Sequence, residues 1–492
     1  MYCPLWSPSR GLNHQHNHER VKIKKERLQE IREESMTNHE YDLFVIGAGA
    51  AGSTAATTAA GDGKRVALVE RDKIGGTCLN YGCDPTKTLI YIADLLYKAH
   101  HAERFGLRIS QAGFDWASVL SWVQQVQNQI RGGTPEEAVA ALSQKGIEVL
   151  IGEATFLSPH ELSIAGKSAS ASRIIIAAGD ENIVPPIEGL SDVGYITNVQ
   201  AVSLPTLPRR LAILGGGAIG IEFAQLFQRF GVEVTVIERS QALLDKEDRE
   251  LADMLCKLLT NEGLRLETNA ELLRVQRDST GKCLTMRCGE REEEQLVVDE
   301  ILLAIGRRPS LATLQPERAG IKTSKKGIEV DATLRTSQPH IWAAGDVTGG
   351  LQFTHVAYEQ GKLAAQNAFA PDPRPFEGRV IPWVTYTKPA LSHVGKTEEQ
   401  LRQDGVDFHV ARMFFNDVER AVAEGKTGGL VKLLVDKQGT ILGGHILAEE
   451  AGDLLAPIIL AMQTGVTAET LATTIMPYPN MVEGVRWTAD KA

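Results

Sequence analysis

Tyr41-Asp-Leu-Phe-Val-Ile-Gly47-Ala-Gly49-Ala-Ala51-Gly52 is the stretch on which the fold turns. A short apolar run goes straight into three glycines, and a small-residue segment predicted as helix follows to about Ala60. Arg65-Val-Ala-Leu-Val-Glu70 then reads as a second strand ending in an acid. Strand, glycine turn, helix, strand, acid is the order of a dinucleotide-binding unit. Gly47 permits the tight turn, Gly49 lets the backbone approach a pyrophosphate, and Gly52 lets helix and strand pack closely. The helix N-terminus presents free N–H groups to phosphate. Glu70, 18 residues beyond Gly52, is placed for a ribose hydroxyl pair.

The pattern recurs. Arg210-Leu-Ala-Ile-Leu-Gly215-Gly-Gly217-Ala-Ile-Gly220 opens a second unit, and its next strand, Glu233-Val-Thr-Val-Ile-Glu238, also ends in an acid. Two complete units imply two dinucleotides. Between them, amphipathic helices are expected around 116–129 and 135–144, with a strand into Ile174-Ile-Ile-Ala-Ala-Gly179 and a boundary near Pro185-Pro186. Ile305-Gly306-Arg-Arg-Pro and Ile341-Trp-Ala-Ala-Gly345-Asp346 follow the second unit. From about Arg379 the pattern shifts to alternating strands and short helices. The expected fold is α/β, with two Rossmann-like dinucleotide-binding domains and a C-terminal α+β domain.

Composition bounds the function. The 492 residues are 43% hydrophobic and 23% charged, and 52 basic against 62 acidic residues give a net charge of −10. No positive excess serves nucleic acid or an anionic membrane, and no apolar stretch reaches membrane-spanning length. Six cysteines are too few and too irregular for a disulfide scaffold, which favours a reducing, cytoplasmic setting. The first 39 residues form a polar extension, expected to be disordered or partly helical, with His14, His16 and His18. Nothing nearby completes a ligand set, so no resident metal site is expected.

Gly75-Gly76-Thr77-Cys78-Leu-Asn-Tyr-Gly82-Cys83-Asp84-Pro85-Thr-Lys87 carries the chemistry. Residues five apart in an ideal helix have Cα atoms roughly 8–9 Å apart, beyond the ~4.4–6.8 Å that a disulfide needs. Cys78 is therefore expected in a distorted lead-in, with the helix starting near Cys83 and Pro85 in its first turn. A thiolate is stabilised at a helix N-terminus, which suits redox exchange. Cys283 and Cys288 have the same spacing, but in an alternating segment they fall on opposite faces of a strand. They are read as structural, as are Cys3 and Cys256.

These motifs together resemble the pyridine nucleotide-disulfide oxidoreductase family, which includes mercuric reductase, dihydrolipoamide dehydrogenase and glutathione reductase, over essentially residues 40–492. The resemblance implies an FAD-binding domain in two parts, 40–186 with the redox cysteines and 310–377. It further implies an NAD(P)-binding domain at 187–309 and a C-terminal dimerisation domain at 378–492. FAD would be held by Gly47, Gly49, Ala51, Gly52, Glu70, Gly76, Thr77, Lys87, Ala154, Gly179, Gly345 and Asp346, with Asp346 on the ribityl chain. The nicotinamide nucleotide would be held by Gly215, Gly217, Gly220, Glu238 and Gly306. Lys87 and Glu222 match a family ion pair beside the flavin N5 edge, and the helix from Thr354 matches one that faces the flavin pyrimidine edge. By the family mechanism, hydride passes from NAD(P)H to the flavin, and electrons then reduce the Cys78–Cys83 disulfide. Cys78 acts on the acceptor and Cys83 faces the flavin. Members are homodimers whose active site is completed by the partner's C-terminal segment.

One departure bears on the acceptor. Disulfide-reducing members place a His before a Pro, with a Glu four residues beyond the Pro, as acid/base catalyst. Here the Pro is Pro479 and the Glu is Glu483, and Tyr478 takes the His position. A phenol is a poor base at neutral pH. Met476-Pro-Tyr-Pro-Asn-Met-Val-Glu-Gly484 is instead similar to the tail of mercuric reductases, whose acceptor is a thiol-bound metal ion. The vicinal cysteine pair and N-terminal metal-binding domain of those enzymes have no counterpart in 485–492 or 1–40. Glu238 favours NADH, through a free ribose 2′-hydroxyl, although Arg239 beside it suits a 2′-phosphate. The leading expectation is an enzyme that passes electrons from NAD(P)H through FAD and this cysteine pair to a thiol-bound metal or a disulfide. A dihydrolipoamide-dehydrogenase-like reductase and an FAD/NAD(H)-binding redox sensor are the rival readings.

Overall fold

A strand covered on both faces needs apolar side chains at every position, and Leu43–Ile46 and Val66–Glu70 are buried throughout their length. In the computed structural model, which describes residues 40–378 and 380–492, these strands sit at the middle of a parallel sheet. The polar extension and Cys3 lie outside the described residues. Five helices recur below: α1 (Ala50–Gly61), α2 (Gly76–Tyr81), α3 (Cys83–His100), α4 (Ala218–Arg229) and α5 (Thr354–Phe369).

The chain divides into two compact units. The first takes in the described residues through Pro85, then Ser121–Glu181 and Arg307–Phe376. Its five-stranded sheet has the order Ile341–Ala343, Ile174–Ile176, Leu43–Ile46, Val66–Glu70, Ile147–Ile151, all parallel. The chain leaves Leu43–Ile46 toward one neighbour and returns on the other side, so a crevice opens at the carboxyl end of that strand, where Gly47 stands. One face of the sheet is covered by α1 and α5, which pack through Ala55, Ala56, Ala59, Ala364, Ala365 and Ala368. Only small residues allow this approach, since a Cβ on Gly361 of α5 would lie 2.1 Å from the Ala51 carbonyl oxygen of α1.

The second unit comprises Thr86–Leu120, Asn182–Gly306 and Glu377–Ala492. Its parallel sheet runs Arg265–Glu267, Glu233–Ile237, Arg210–Leu214, Glu300–Leu303, with the same reversal after Arg210–Leu214. The C-terminal region forms a five-stranded antiparallel sheet in the order Trp383–Thr385, Ala390–Gly395, Ile441–Ala448, Leu430–Val435, His409–Phe414. Lys432, fully buried in that sheet, donates to both carboxylate oxygens of Asp248 at 2.9 Å, joining it to the residue before the helix Arg249–Asn261. Among the described residues no helix is long and apolar enough to cross a membrane.

Candidate active site

The first nucleotide cradle is defined by what a side chain would meet. At Gly47, with φ +98°, a Cβ would lie 2.3 Å from the Ala177 carbonyl oxygen, and at Gly52 it would lie 1.7 Å from that of Gly47. At Gly49 the nearest atom is the Cα of Gly76, 3.9 Å away. Two of the three glycines are thus required by the protein's own packing, while the middle one has room for a Cβ, with Gly76 at ordinary van der Waals distance. Gly49 also precedes α1, whose first turn has neither a side-chain cap nor an acidic residue, so its N–H groups suit a phosphate. Glu70 is held at the strand end beside this turn, accepting the Ala48 N–H at 2.8 Å and the Asp72 N–H at 2.9 Å.

Further predicted residues join this rim. Gly76, with φ +58°, brings the start of α2 against Gly49, and Gly179 and Gly345 take φ of +69° and +78°. Burial pushes the Asp346 carboxyl up to about 7, the charge of Asp180 adding to it and Arg307 opposing it. Arg307 pairs with Asp180, which also accepts from Gln352 Nε2 at 3.1 Å. A hydroxyl-bearing chain beside Asp346 would relieve its desolvation. An open glycine at an uncapped helix, an acid fixed at the strand end and a half-buried carboxyl together fit FAD. Thr77 is exposed, whereas Ala51 and Ala154 are buried within hydrophobic clusters, so any contact those two alanines make is through backbone.

Two helices meet at the cysteines. Gly75, with φ +100°, starts α2, Gly82 ends it at φ −132° and ψ −112°, and α3 begins at Cys83. The distorted lead-in expected for Cys78 is instead a short helix of its own, and the bend lies at Gly82. A Cβ there would come within 3.1 Å of the Thr77 carbonyl oxygen. The break allows what a continuous helix forbids, and the two sulfurs are hydrogen-bonded as free thiols. The hydrogen bond to Cys83 pushes the Cys78 thiol up, and burial and the charges of Cys83 and Asp84 push it further. Cys83 stands at the first residue of α3, a position that favours a thiolate. Cys83 Sγ lies 3.5 Å from Thr354 Oγ1, on the first residue of α5.

The second unit repeats the cradle. At Gly215, with φ +107°, a Cβ would lie 2.4 Å from the Ala304 carbonyl oxygen, and at Gly220 it would lie 2.0 Å from that of Gly215; Gly217 faces open space. Gly306 takes φ +127°. Burial alone would raise the Glu238 carboxyl, but N–H bonds from Ser240 (2.6 Å) and Gly216 (2.7 Å) outweigh it and hold the pKa below the ordinary value. Arg239 is exposed. A fixed carboxylate repels a 2′-phosphate and accepts from a 2′-hydroxyl, so Glu238→Ala should weaken NADH and spare NADPH. Loss of a charge-assisted hydrogen bond predicts a rise of roughly tenfold or more in KM for NADH. Initial rates with both nucleotides check this, and an unchanged NADH/NADPH ratio would remove Glu238 from the selection.

Also in this unit, Lys87 Nζ lies 2.9 Å from Glu222 Oε2, and Glu222 Oε1 accepts the Tyr386 N–H at 2.8 Å. Glu483 is buried and accepts the Asn480 N–H at 3.2 Å, while Tyr478 stands 68% exposed. Sequence reasoning missed Tyr386, Asp94 and Arg229. The last two carried a signal: Lys87 and Asp94 are seven residues apart on one helix, as Glu222 and Arg229 are on another, with the charges exchanged.

Two dinucleotide cradles and a dithiol at a helix start define an oxidoreductase that couples nucleotide cofactors to sulfur. The chain belongs to the pyridine nucleotide-disulphide oxidoreductase family: the family model matches residues 41–361, and that of its dimerisation domain matches 381–489. It is 36% identical over 453 residues to a mercuric reductase of Staphylococcus aureus, covering 92% of this chain and 82% of that one. It is 36% identical to the dihydrolipoyl dehydrogenase of Bacillus subtilis, covering 90% and 96%. The structure of the HOCl-induced flavoprotein disulfide reductase RclA from Escherichia coli superposes with a TM-score of 0.82 at 32% identity, covering 92% and 99%. The chain is thus an FAD-dependent enzyme using NAD(P)H, and its dimerisation domain pairs it with a second copy.

Proposed function

We propose that this enzyme uses NADH to keep Cys78 and Cys83 reduced and delivers the electrons to a thiol-bound metal ion, in the manner of a mercuric reductase. The observation that carries the reading is a dithiol at a helix start combined with a phenol, Tyr478, where disulfide-reducing members have an imidazole. FAD, when bound, supplies the two-electron relay between nicotinamide and sulfur. The first unit would hold it through the Gly49 turn, Glu70 and Asp346; Lys87, one turn beyond Cys83 on α3, would face its reactive edge. Cys78 would meet the acceptor beside Cys83, where the helix start favours a thiolate, and as the two thiols lose their protons the pair can displace thiol ligands from a thiophilic ion. For mercury the balance is NADH + H⁺ + Hg(SR)₂ giving NAD⁺, Hg⁰ and two RSH. The partner's Tyr478 and Glu483 would complete the site. RclA, a relative of 32% identity with a solved Cu(II) complex, supports a thiophilic acceptor. The small number of cysteines supports a cytoplasmic setting.

Steady-state NADH oxidation with thiol-bound Hg²⁺, thiol-bound Cu²⁺, lipoamide and glutathione disulfide tests the reading. Turnover with a metal and little with either disulfide is expected. Fast lipoamide turnover would move the enzyme to the dihydrolipoamide dehydrogenase side. Bleaching of the flavin by NADH with no acceptor turned over would make it a redox sensor. General acid/base groups contribute about 10²–10⁴-fold, so Tyr478→His should raise lipoamide turnover about tenfold or more. No gain would show that the imidazole is not what disulfide reduction lacks here.

A further inference from the structure

Residue 386 touches both members of the Lys87–Glu222 pair. Its N–H donates to Glu222 Oε1 at 2.8 Å, and its ring centroid lies 4.6 Å from Lys87 Nζ. The Glu222 carboxylate, 7% exposed, therefore has one oxygen on the ammonium and the other on the Tyr386 backbone. That carboxylate cannot rotate without losing a bond. A lysine ammonium is a compact charge on a four-carbon stem, and one carboxylate oxygen does not fix its direction. The aromatic face supplies a second attractive wall.

What holds Tyr386 in place is independent of its ring. Two residues on, the Lys388 N–H donates to Gln225 Oε1 at 2.8 Å, and Gln225 Nε2 returns a bond to the Lys388 carbonyl at 2.7 Å. This clamp lies one turn along α4 from Glu222 and sets the register of the strand exit Thr385–Lys388. Removing the ring should thus leave the backbone bond to Glu222 intact while taking away the contact with the ammonium.

We propose that Tyr386 is a positioning residue for nicotinamide-to-flavin electron transfer, its backbone fixing Glu222 and its ring fixing the Lys87 ammonium. The proposal rests on the reading that Lys87 and Glu222 serve the flavin. A positive charge held still beside the flavin favours its reduction; one free to swing away does so less.

The test compares Tyr386→Leu with Tyr386→Phe in the FAD-loaded protein. Flavin bleaching by NADH is followed by stopped flow, and the flavin is titrated separately with a reducing dye, without nucleotide or acceptor. Tyr386→Leu should slow bleaching at saturating NADH about two- to fivefold, on the scale of an exposed cation–π contact, with the dissociation constant for NADH unchanged. Its flavin should also become harder to reduce in the dye titration, and Tyr386→Phe should recover most of both losses. Tyr386→Met replaces the leucine variant should that one fail to fold. If the ring-less variant matches wild type in both readouts while Lys87→Met depresses them, the role of Tyr386 is refuted and the ion-pair reading stands. If Lys87→Met also leaves both unchanged, the ion-pair reading itself fails.

Discussion

Replacing Cys83 by serine is expected to cut acceptor turnover by about 10³-fold or more, the scale on which loss of a covalent participant acts. Cys78→Ser should do the same, and the double variant should be scarcely worse, because residues that act as a unit do not contribute additively. The two single variants should differ in thiol reactivity. In the intact pair Cys78 donates to Cys83, and that bond followed by burial holds the Cys78 proton on. Cys83 stands at the first residue of α3, a position that favours a thiolate. Alkylation of the NADH-reduced enzyme near neutral pH should therefore reach Cys83 first wherever access is equal. Cys83→Ser removes the hydrogen bond and charge behind much of the Cys78 shift but leaves burial, so Cys78 in that variant should still react more slowly than the helix-start thiol left by Cys78→Ser. More than a tenth of wild-type turnover in either single variant would remove the sulfur pair from the electron path.

The sequence foretold most where one residue's need is set by its near neighbours. Gly47 and Gly52 form a local contact, the Cβ of one position against the carbonyl of the other. The turn-and-helix motif encodes that contact within six residues. The same holds for the start of α3, where the five-residue spacing of the cysteines forces a break, although Gly82 rather than the residues around Cys78 supplies it. Contacts formed across the chain left no such trace. Tyr386 reaches Glu222 from 164 positions away, and nothing in Thr-Tyr-Thr-Lys-Pro marks its ring for an ammonium. Ala51 shows the converse, a motif position whose small side chain is accounted for by α5 packing against α1. Tyr478 was legible as a departure, because its neighbours Pro479 and Glu483 hold their motif places while one position changes.

Arg229→Met should be among the most destabilising single changes in the second unit, by about 3–5 kcal/mol, the cost of stranding buried charge. The Arg229 side chain is 4% exposed, and its guanidinium is taken up on every side. Nη1 reaches Asp94 at 2.9 Å, and Nε and Nη2 fork onto Glu262 at 3.0 and 2.8 Å. Nη2 also donates to the Lys388 carbonyl at 3.0 Å, and the Tyr97 ring centroid lies 4.1 Å from the guanidinium carbon. Removing the cation leaves Asp94 with the Lys98 ammonium and Glu262 with the Gln225 amide, a partial offset for two carboxylates that are largely out of water. Lysine keeps the charge but cannot fork onto Glu262 while reaching Asp94, so Arg229→Lys should recover only part of the loss. Asp94→Asn in the Arg229→Met background should be less damaging than the sum of the two changes, because it discharges one stranded carboxylate. Denaturant unfolding of wild type, the three single variants and the double variant measures these differences. The consequence extends to the site, because Arg229–Asp94 lies seven residues beyond Glu222–Lys87 on both helices, the two pairs joining α4 to α3 at the same interval. Loosening the far pair frees α3 to shift against α4 and so unsettles Lys87. Slower flavin bleaching by NADH should therefore accompany the lost stability, and a destabilised variant that bleached at the wild-type rate would show the two pairs to be uncoupled.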